Sequence, residues 1–226
     1  MNTFAIITAA GSGSRFSPGK KSIPKQFIRL EGKPVILFSL EAFQKCRQID
    51  EILVSADNSY FDFIHSLAVK NGITKLTTLA EGGRTRFISV KNAFFQISGK
   101  PGDLILIHDA ARPNINRKFV EELLTSALKY GEVIPGIKID ETVKRENKGI
   151  VTGTIDRDNL WTVQTPQVFR YSVLKKSYKK AGRKNDFTDE AGLVERAGYN
   201  VRLIKGSRDN IKITTQEDLQ ILKKIM

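Results

Sequence analysis

Read for hydrophobicity alone, the chain alternates between short, nearly continuous apolar runs and longer segments whose apolar residues return at helical spacing. Phe4–Thr8, Glu51–Ser55, Leu76–Leu79, Leu104–Ile107 and Val133–Ile139 are predicted strands. Helices are predicted between them at Ile36–Phe43, Phe61–Lys70, Arg86–Gln96 and Arg117–Tyr130. Strands without polar alternation need cover on both faces. The pattern therefore predicts a mostly parallel sheet between two layers of helices, and right-handed crossovers make it a doubly wound α/β domain.

The alternation breaks after Ile139. From Asp140 to Asn159 the chain is polar, and its short apolar pieces, Val143 and Ile150-Val151, flank Asn147-Lys148-Gly149. Two short β segments about a turn cannot bury themselves and need a partner surface. The α/β pattern then resumes, with Val168-Phe169, helices at Ser172–Ala181 and Thr188–Ala197, a strand at Val201–Ile204 and a closing helix at Gln216–Ile225. Without an internal repeat or a linker, residues 1–226 read as one domain carrying a protruding β-arm at about 137–160.

Composition adds limits. With 40% hydrophobic and 27% charged residues in 226, the chain is an ordinary globular one, and no apolar run approaches the ~18 residues of a membrane span. No basic leader precedes Phe4, and the single Cys46, expected as a small buried residue at a helix end, excludes a disulfide framework. The expected setting is the cytoplasm. Thirty-seven Lys and Arg against twenty-four Asp and Glu leave +13, which suits a polyanionic or phosphorylated partner. Lys175, Lys176, Lys179, Lys180, Arg183 and Lys184 cluster as a solvated helix face would, with only Tyr171 and Tyr178 nearby. An RNA-binding sheet would interleave aromatics with its basic residues, so neither nucleic acid nor membrane is the expected partner.

Three stretches carry chemistry. The first strand runs into Ala9-Ala10-Gly11-Ser12-Gly13-Ser14-Arg15-Phe16. Phe16 occupies the place where a dinucleotide fingerprint needs a small residue, and Ser14-Arg15 replaces the Lys-Ser/Thr of a Walker A loop. What remains is a small-residue loop whose backbone N–H groups, with Arg15, Lys20, Lys21 and Lys25, would suit a triphosphate. The fourth strand ends in His108-Asp109-Ala110-Ala111-Arg112-Pro113, where Asp109 is placed for Mg²⁺ or for a helix cap, and His108 reads as a packed neighbour. Near the end, Arg208-Asp209-Asn210-Ile211-Lys212-Ile213-Thr214 would bring a second carboxylate and a second cation, with Thr214 or Thr215 capping the last helix.

Together AAGSGSRF, PKQF, EGGRTRFISV, HDAARP, DETVKR, TIDRDNLWTVQTPQVF, DFTDEAG and RDNIKITT resemble, over nearly the whole chain, the cytidylyltransferases of non-mevalonate isoprenoid synthesis that act on 2-C-methyl-D-erythritol 4-phosphate. The resemblance implies a Rossmann-like nucleotidyltransferase domain, a homodimer joined by the β-arm, and a Mg²⁺-dependent (or Mn²⁺-dependent) reaction of CTP with a polyol phosphate. It also implies roles. Ala9, Ala10, Gly11, Ser12, Gly13 and Ser14 would wrap the CTP phosphates, with Arg15 and Lys25 as catalytic cations. The Arg15–Lys25 segment is longer than in much of the family, and the match of Pro24-Lys25-Gln26 selects Lys25. Gly83, Arg84 through its backbone, Ser89 and Ala110 would serve cytosine and ribose. Asp109 and Asp209 would bind the metal, and Lys212 would contact the α-phosphate. Asp109, Arg112 and Thr214 would face the alcohol substrate, and Thr142 and Arg157 would reach it from the arm of the partner subunit. The nearest alternative is a ribitol 5-phosphate cytidylyltransferase; HDAARP, Leu160-Trp161 and TDEAG resemble the methylerythritol branch more.

Overall fold

The computed structural model describes residues 1–11, 16, 23–182 and 186–226. β1 (Thr3–Thr8) is buried along nearly its whole length, with Ala5 and Ile7 in one helix-covered layer and Phe4 and Ile6 in the other. A small hairpin, β2 (Arg29–Leu30) and β3 (Lys33–Pro34), leads into α1 (Val35–Lys45), which ends at the buried Cys46. β4 (Glu51–Ala56), α2 (Phe61–Lys70), β5 (Leu76–Glu81), α3 (Arg86–Phe94), β6 (Leu104–Asp109), α4 (Arg117–Tyr130) and β7 (Glu132–Lys138) follow in alternation. Residues of α1, α2 and α4 cover one face of the sheet and residues of α3 cover the other.

From β1 the chain works outward through β4 to β5, then returns past β1 to β6, and all these neighbours pair in parallel. The order reverses between β1 and β6. In open α/β sheets that reversal opens a crevice beyond the carboxyl ends of the strands, where ligands bind.

β7 leads into the arm, β8 (Val143–Asn147) and β9 (Ile150–Ile155), which among the described residues pair only with each other. Their turn places Lys148 and Gly149 at φ 53° and 81°, the doubly positive pattern that matches hairpin twist. Most of the arm is exposed, including Ile150 at 70% and Val151 at 60%. The chain returns as β10 (Trp161–Val163), antiparallel to Gly136–Lys138, and β11 (Gln167–Arg170), antiparallel between β6 and β7. The hydrophobic pattern predicted parallel strands and did not mark β10. The difference comes from the connection: the arm begins and ends at the carboxyl end of β7, and without a crossover helix the returning chain runs antiparallel.

α5 (Tyr171–Ala181) and α6 (Glu190–Arg196) join α3 in one layer, β12 (Val201–Lys205) pairs in parallel with β7, and α7 (Gln216–Ile225) closes the chain. α7 buries Leu219 and Leu222 against Leu30, Val35 and Ile213. Its start is Thr215, not Thr214, with Asp218 completing the capping box.

Candidate active site

The carboxyl ends of β1 and β6 border a cleft of about 490 Å³. On the β1 side, the Gln26 side-chain amide donates to the carbonyls of Ala9 (2.5 Å) and Gly11 (2.9 Å). Gln26 is itself buried, so these bonds hold the first residues of the small-residue loop at little entropic cost once folded. A Cβ on Gly82 would collide with Ala10, and one on Gly83 with Ile88, so Gly82 lets the β5 exit close against the β1 exit and Gly83 lets it close on the first turn of α3. Ser89 accepts from Gly83 N–H (3.0 Å) and donates to the Thr85 carbonyl (3.0 Å), which fixes that wall.

Thr85 caps α3, accepting from Ile88 N–H, and thereby sets Arg86 at the first helical position with its side chain aimed inward. Arg86 Nε lies 2.8 Å from Asp109 Oδ1, and Nη1 lies 2.7 Å from Glu190 Oε2. Lys212 Nζ takes the other Asp109 oxygen at 2.6 Å. Burial alone would raise the Asp109 pKa, but Arg86 and Lys212 bring it well below the usual carboxylate range. Burial also raises the Glu190 carboxyl, against the pull of Arg86.

Asp109 is held from behind as well. Its backbone N–H donates to Thr165 Oγ1 (3.0 Å), whose hydroxyl is 3.1 Å from His108 Nδ1, and His108 Nε2 is 3.2 Å from the Arg112 carbonyl. A carbonyl only accepts, so Nε2 carries the proton and Nδ1 accepts from Thr165. Burial pushes the imidazole down to about 4, consistent with a neutral ring packed edge-on to Phe43.

The loop before α7 is pinned at several points. The Gln164 amide donates to the Ser207 carbonyl (2.8 Å), Asn210 donates to the Thr165 carbonyl (2.9 Å), and Arg112 Nη1 donates to the Asn210 carbonyl (2.6 Å). Ile213 N–H bonds the Ala111 carbonyl, and Lys25 Nζ donates to the Ile213 carbonyl at 2.5 Å. Lys212 therefore projects from fixed backbone.

Of the residues singled out in the sequence, Ala10, Gly11, Lys25, Gly83, Arg84 and Ser89 line this cleft, as do Asp109 and Lys212. Ala9 and Ala110 are buried at the strand exits. Ser12, Gly13, Ser14 and Arg15 lie outside the described residues. Arg112 borders an adjoining hollow of about 150 Å³ that shares Arg86, Asp109 and Lys212 with the cleft. Thr214 is half-buried, its N–H on Asp218. Asp209 is not brought to the cleft. It is exposed and borders a separate hollow with Asn114 and Ser207. Thr142 and Arg157 stand at the base of the arm, where Arg157 donates to the Asp140 carbonyl. Sequence reasoning missed Gln26, Arg86, Thr165 and Glu190. The Thr85 cap could have flagged Arg86, but nothing marks Glu190, because a glutamate in a first helical turn ordinarily faces water.

A crevice at the sheet's reversal, walled by small residues and armed with lysines around a buried carboxylate, is the equipment of an enzyme that handles nucleotide phosphates. The family model for 2-C-methyl-D-erythritol 4-phosphate cytidylyltransferase matches residues 3–226. A protein of that name from Geobacillus kaustophilus is 38% identical over 230 residues, covering 100% of this chain and 97% of its own. The structure of the enzyme of that name from Francisella tularensis superposes with a TM-score of 0.84 at 33% identity, covering all of both chains. The one from Thermus thermophilus gives 0.79 at 28% identity, covering 100% and 98%. The chain belongs to the 2-C-methyl-D-erythritol 4-phosphate cytidylyltransferase family.

Proposed function

We infer that the chain transfers the CMP moiety of CTP to 2-C-methyl-D-erythritol 4-phosphate, giving 4-diphosphocytidyl-2-C-methyl-D-erythritol and pyrophosphate in isoprenoid precursor synthesis. The observation that carries the site assignment is Lys212 and Arg86 converging on buried Asp109 beside the small-residue loop. An oxygen of the alcohol's phosphate attacks the α-phosphorus of CTP, and the bond from that phosphorus to the β-phosphate oxygen breaks. The attacking oxygen is already ionised at neutral pH, so no base is required. The barrier lies in bringing two anions together, and positioned cations lower it. Arg15 and Lys25 would hold the triphosphate, Lys212 the α-phosphate, and the walls at Ala10, Gly83, Arg84 and Ser89, with Ala110 buried behind them, the nucleoside.

Mg²⁺ needs only one or two carboxylates beside phosphate oxygens, and Asp109, which lines the cleft with its carboxyl held well below the usual carboxylate range by Arg86 and Lys212, supplies one. Asp109 would hold it, with phosphate oxygens and water as its other ligands, and the ion would neutralise phosphate charge as pyrophosphate leaves; Asp209, which faces a separate hollow, is left out of the site. Arg112 and Thr214 would lie on the alcohol side. The exposed Ile150 and Val151 support a homodimer in which the arm delivers Thr142 and Arg157 to the partner's site. The lone buried Cys46 suits a reducing cytoplasm, and among the described residues no helix is long and apolar enough to cross a membrane.

The test is pyrophosphate release with CTP and Mg²⁺, comparing methylerythritol 4-phosphate with ribitol 5-phosphate. Turnover of the first alone is expected; turnover of ribitol phosphate alone would overturn the substrate. Arg157→Ala should raise KM for the alcohol phosphate about tenfold or more, as expected for loss of a charge-assisted contact, and leave KM for CTP in place. A loss confined to CTP would contradict its assignment.

A further inference from the structure

Glu190 carries a charge that its local structure does not require. It is the first residue of α6 and is fully buried, at 0% exposure. Capping falls to Asp189, whose side chain accepts from Gly192 N–H. Oε2 of Glu190 meets Arg86, and Oε1 has no hydrogen-bond partner among the described residues. Burying a carboxylate costs several kcal/mol even after relaxation, and an ion pair seldom recovers more than that. Stability is therefore a weak reason for its presence.

The charge balance around Asp109 supplies a stronger one. Arg86 uses Nε on Asp109 and Nη1 on Glu190, while Lys212 takes the remaining Asp109 oxygen. These two cations and two anions sum to zero, and Arg112 and Asp189, which border the adjoining hollow beside them, add one charge of each sign and leave the sum at zero. Without Glu190 the group would sum to +1, and Asp109 would lie in a net positive neighbourhood that repels a divalent cation. With Glu190 behind it, the guanidinium still fixes Asp109 in a rigid fork, and its charge is cancelled from the far side. When Lys212 turns to the substrate's phosphate, Arg86, Asp109 and Glu190 retain −1 between them.

We propose that Glu190 is a positioning residue of this reaction, acting through Arg86 to keep Asp109 attractive to a divalent cation. The proposal rests on the reading above for the use of the ion, but binding of the ion can be measured without turnover. The probe is Mn²⁺, titrated by calorimetry or paramagnetic resonance into the full chain at saturating CTP, with no alcohol phosphate present. Glu190→Gln keeps the shape and an oxygen towards Arg86 while removing the charge. Its Mn²⁺ affinity should fall about tenfold, the effect of one unit charge at an intermediate effective dielectric. Affinity for CTP without metal and the circular dichroism spectrum should be preserved. Arg86→Gln/Glu190→Gln removes both charges and restores the sum to zero, so its Mn²⁺ affinity should return to within about threefold of the parent.

An unchanged Mn²⁺ affinity in Glu190→Gln overturns the proposal, as does a double variant as weak as the single. If the single variant fails to fold, the double carries the test, and a tenfold loss there overturns it. A parent chain that binds Mn²⁺ with CTP but leaves methylerythritol phosphate untouched overturns the reaction assigned above and leaves the role of Glu190 standing.

Discussion

Lys212→Ala is expected to lower kcat by about 10²–10³, the range seen when one preorganised donor to a developing charge is removed. The lysine is well prepared for such a part. Its loop is tied to the exit of β6 by Ile213 on Ala111, to the β10–β11 connection by Gln164 and Asn210, and to Lys25 through the Ile213 carbonyl. None of these bonds uses the Lys212 side chain, so truncation leaves the backbone in place. The lysine side chain is 36% exposed, and Asp109 keeps Arg86 after the lysine is gone, so the melting temperature should move by only a few degrees. A group that acts on the transition state lowers kcat and kcat/KM together, whereas one that merely binds CTP would raise KM. Pyrophosphate release over a range of CTP concentrations, beside a thermal melt, separates these cases. A folded variant with undiminished kcat would remove Lys212 from the chemistry. Lys212→Arg should recover only part of the rate, because a planar fork does not replace a compact ammonium.

The parallel half of the fold was legible because its strands are buried on both faces and show it as unbroken apolar runs: Phe4–Thr8 and Leu104–Ile107 became β1 and β6 with small changes of boundary. The helix at Phe61–Lys70 and the closing helix at Gln216–Ile225 were found at their observed bounds. β11 was seen as an apolar pair, but its direction was not, since direction depends on where the arm returns the chain and leaves no periodic mark. β10 is three residues long and exposed, too short for any period. The site divides in the same way. Charged residues at strand exits are visible because position along the chain predicts exposure to a ligand, so Asp109 and Lys212 could be named from the residues, whereas Gly83 and the choice of Lys25 among the loop lysines came from the resemblance to the family. Arg86 and Glu190 are 104 residues apart and meet only because the tertiary fold brings the first turns of α3 and α6 together. Asp209 illustrates the reverse error of proximity: three residues before Lys212, it nevertheless faces another hollow.

Arg86→Met should destabilise the protein by about 3–5 kcal/mol, as expected when one member of a buried ion pair is removed and the other left behind. Two carboxylates depend on this guanidinium. Glu190 has no exposure at all and, among the described residues, no second cation within bonding reach, so it must either remain charged in an apolar layer or take up a proton. Asp109 is less affected, because Lys212 still reaches Oδ2. For a domain whose total stability is on the order of 5–15 kcal/mol, such a loss is a large fraction, and the melting temperature should fall by about 10 °C or more. The cause is separable from simple loss of packing, since methionine nearly matches the arginine stem in volume. Arg86→Met/Glu190→Met removes both partners and should recover most of the loss, to within about 1–2 kcal/mol of the parent, because a paired apolar replacement leaves no orphaned charge. Urea unfolding of the two single variants and the double gives the coupling directly. If Arg86→Met costs less than about 1 kcal/mol, the surface-pair range, the Arg86–Glu190 contact is in effect solvated and the buried bracing of Asp109 is wrong. If the double variant is as unstable as the single, the loss comes from repacking at the head of α3, and the ion pair is not what holds α3 to α6.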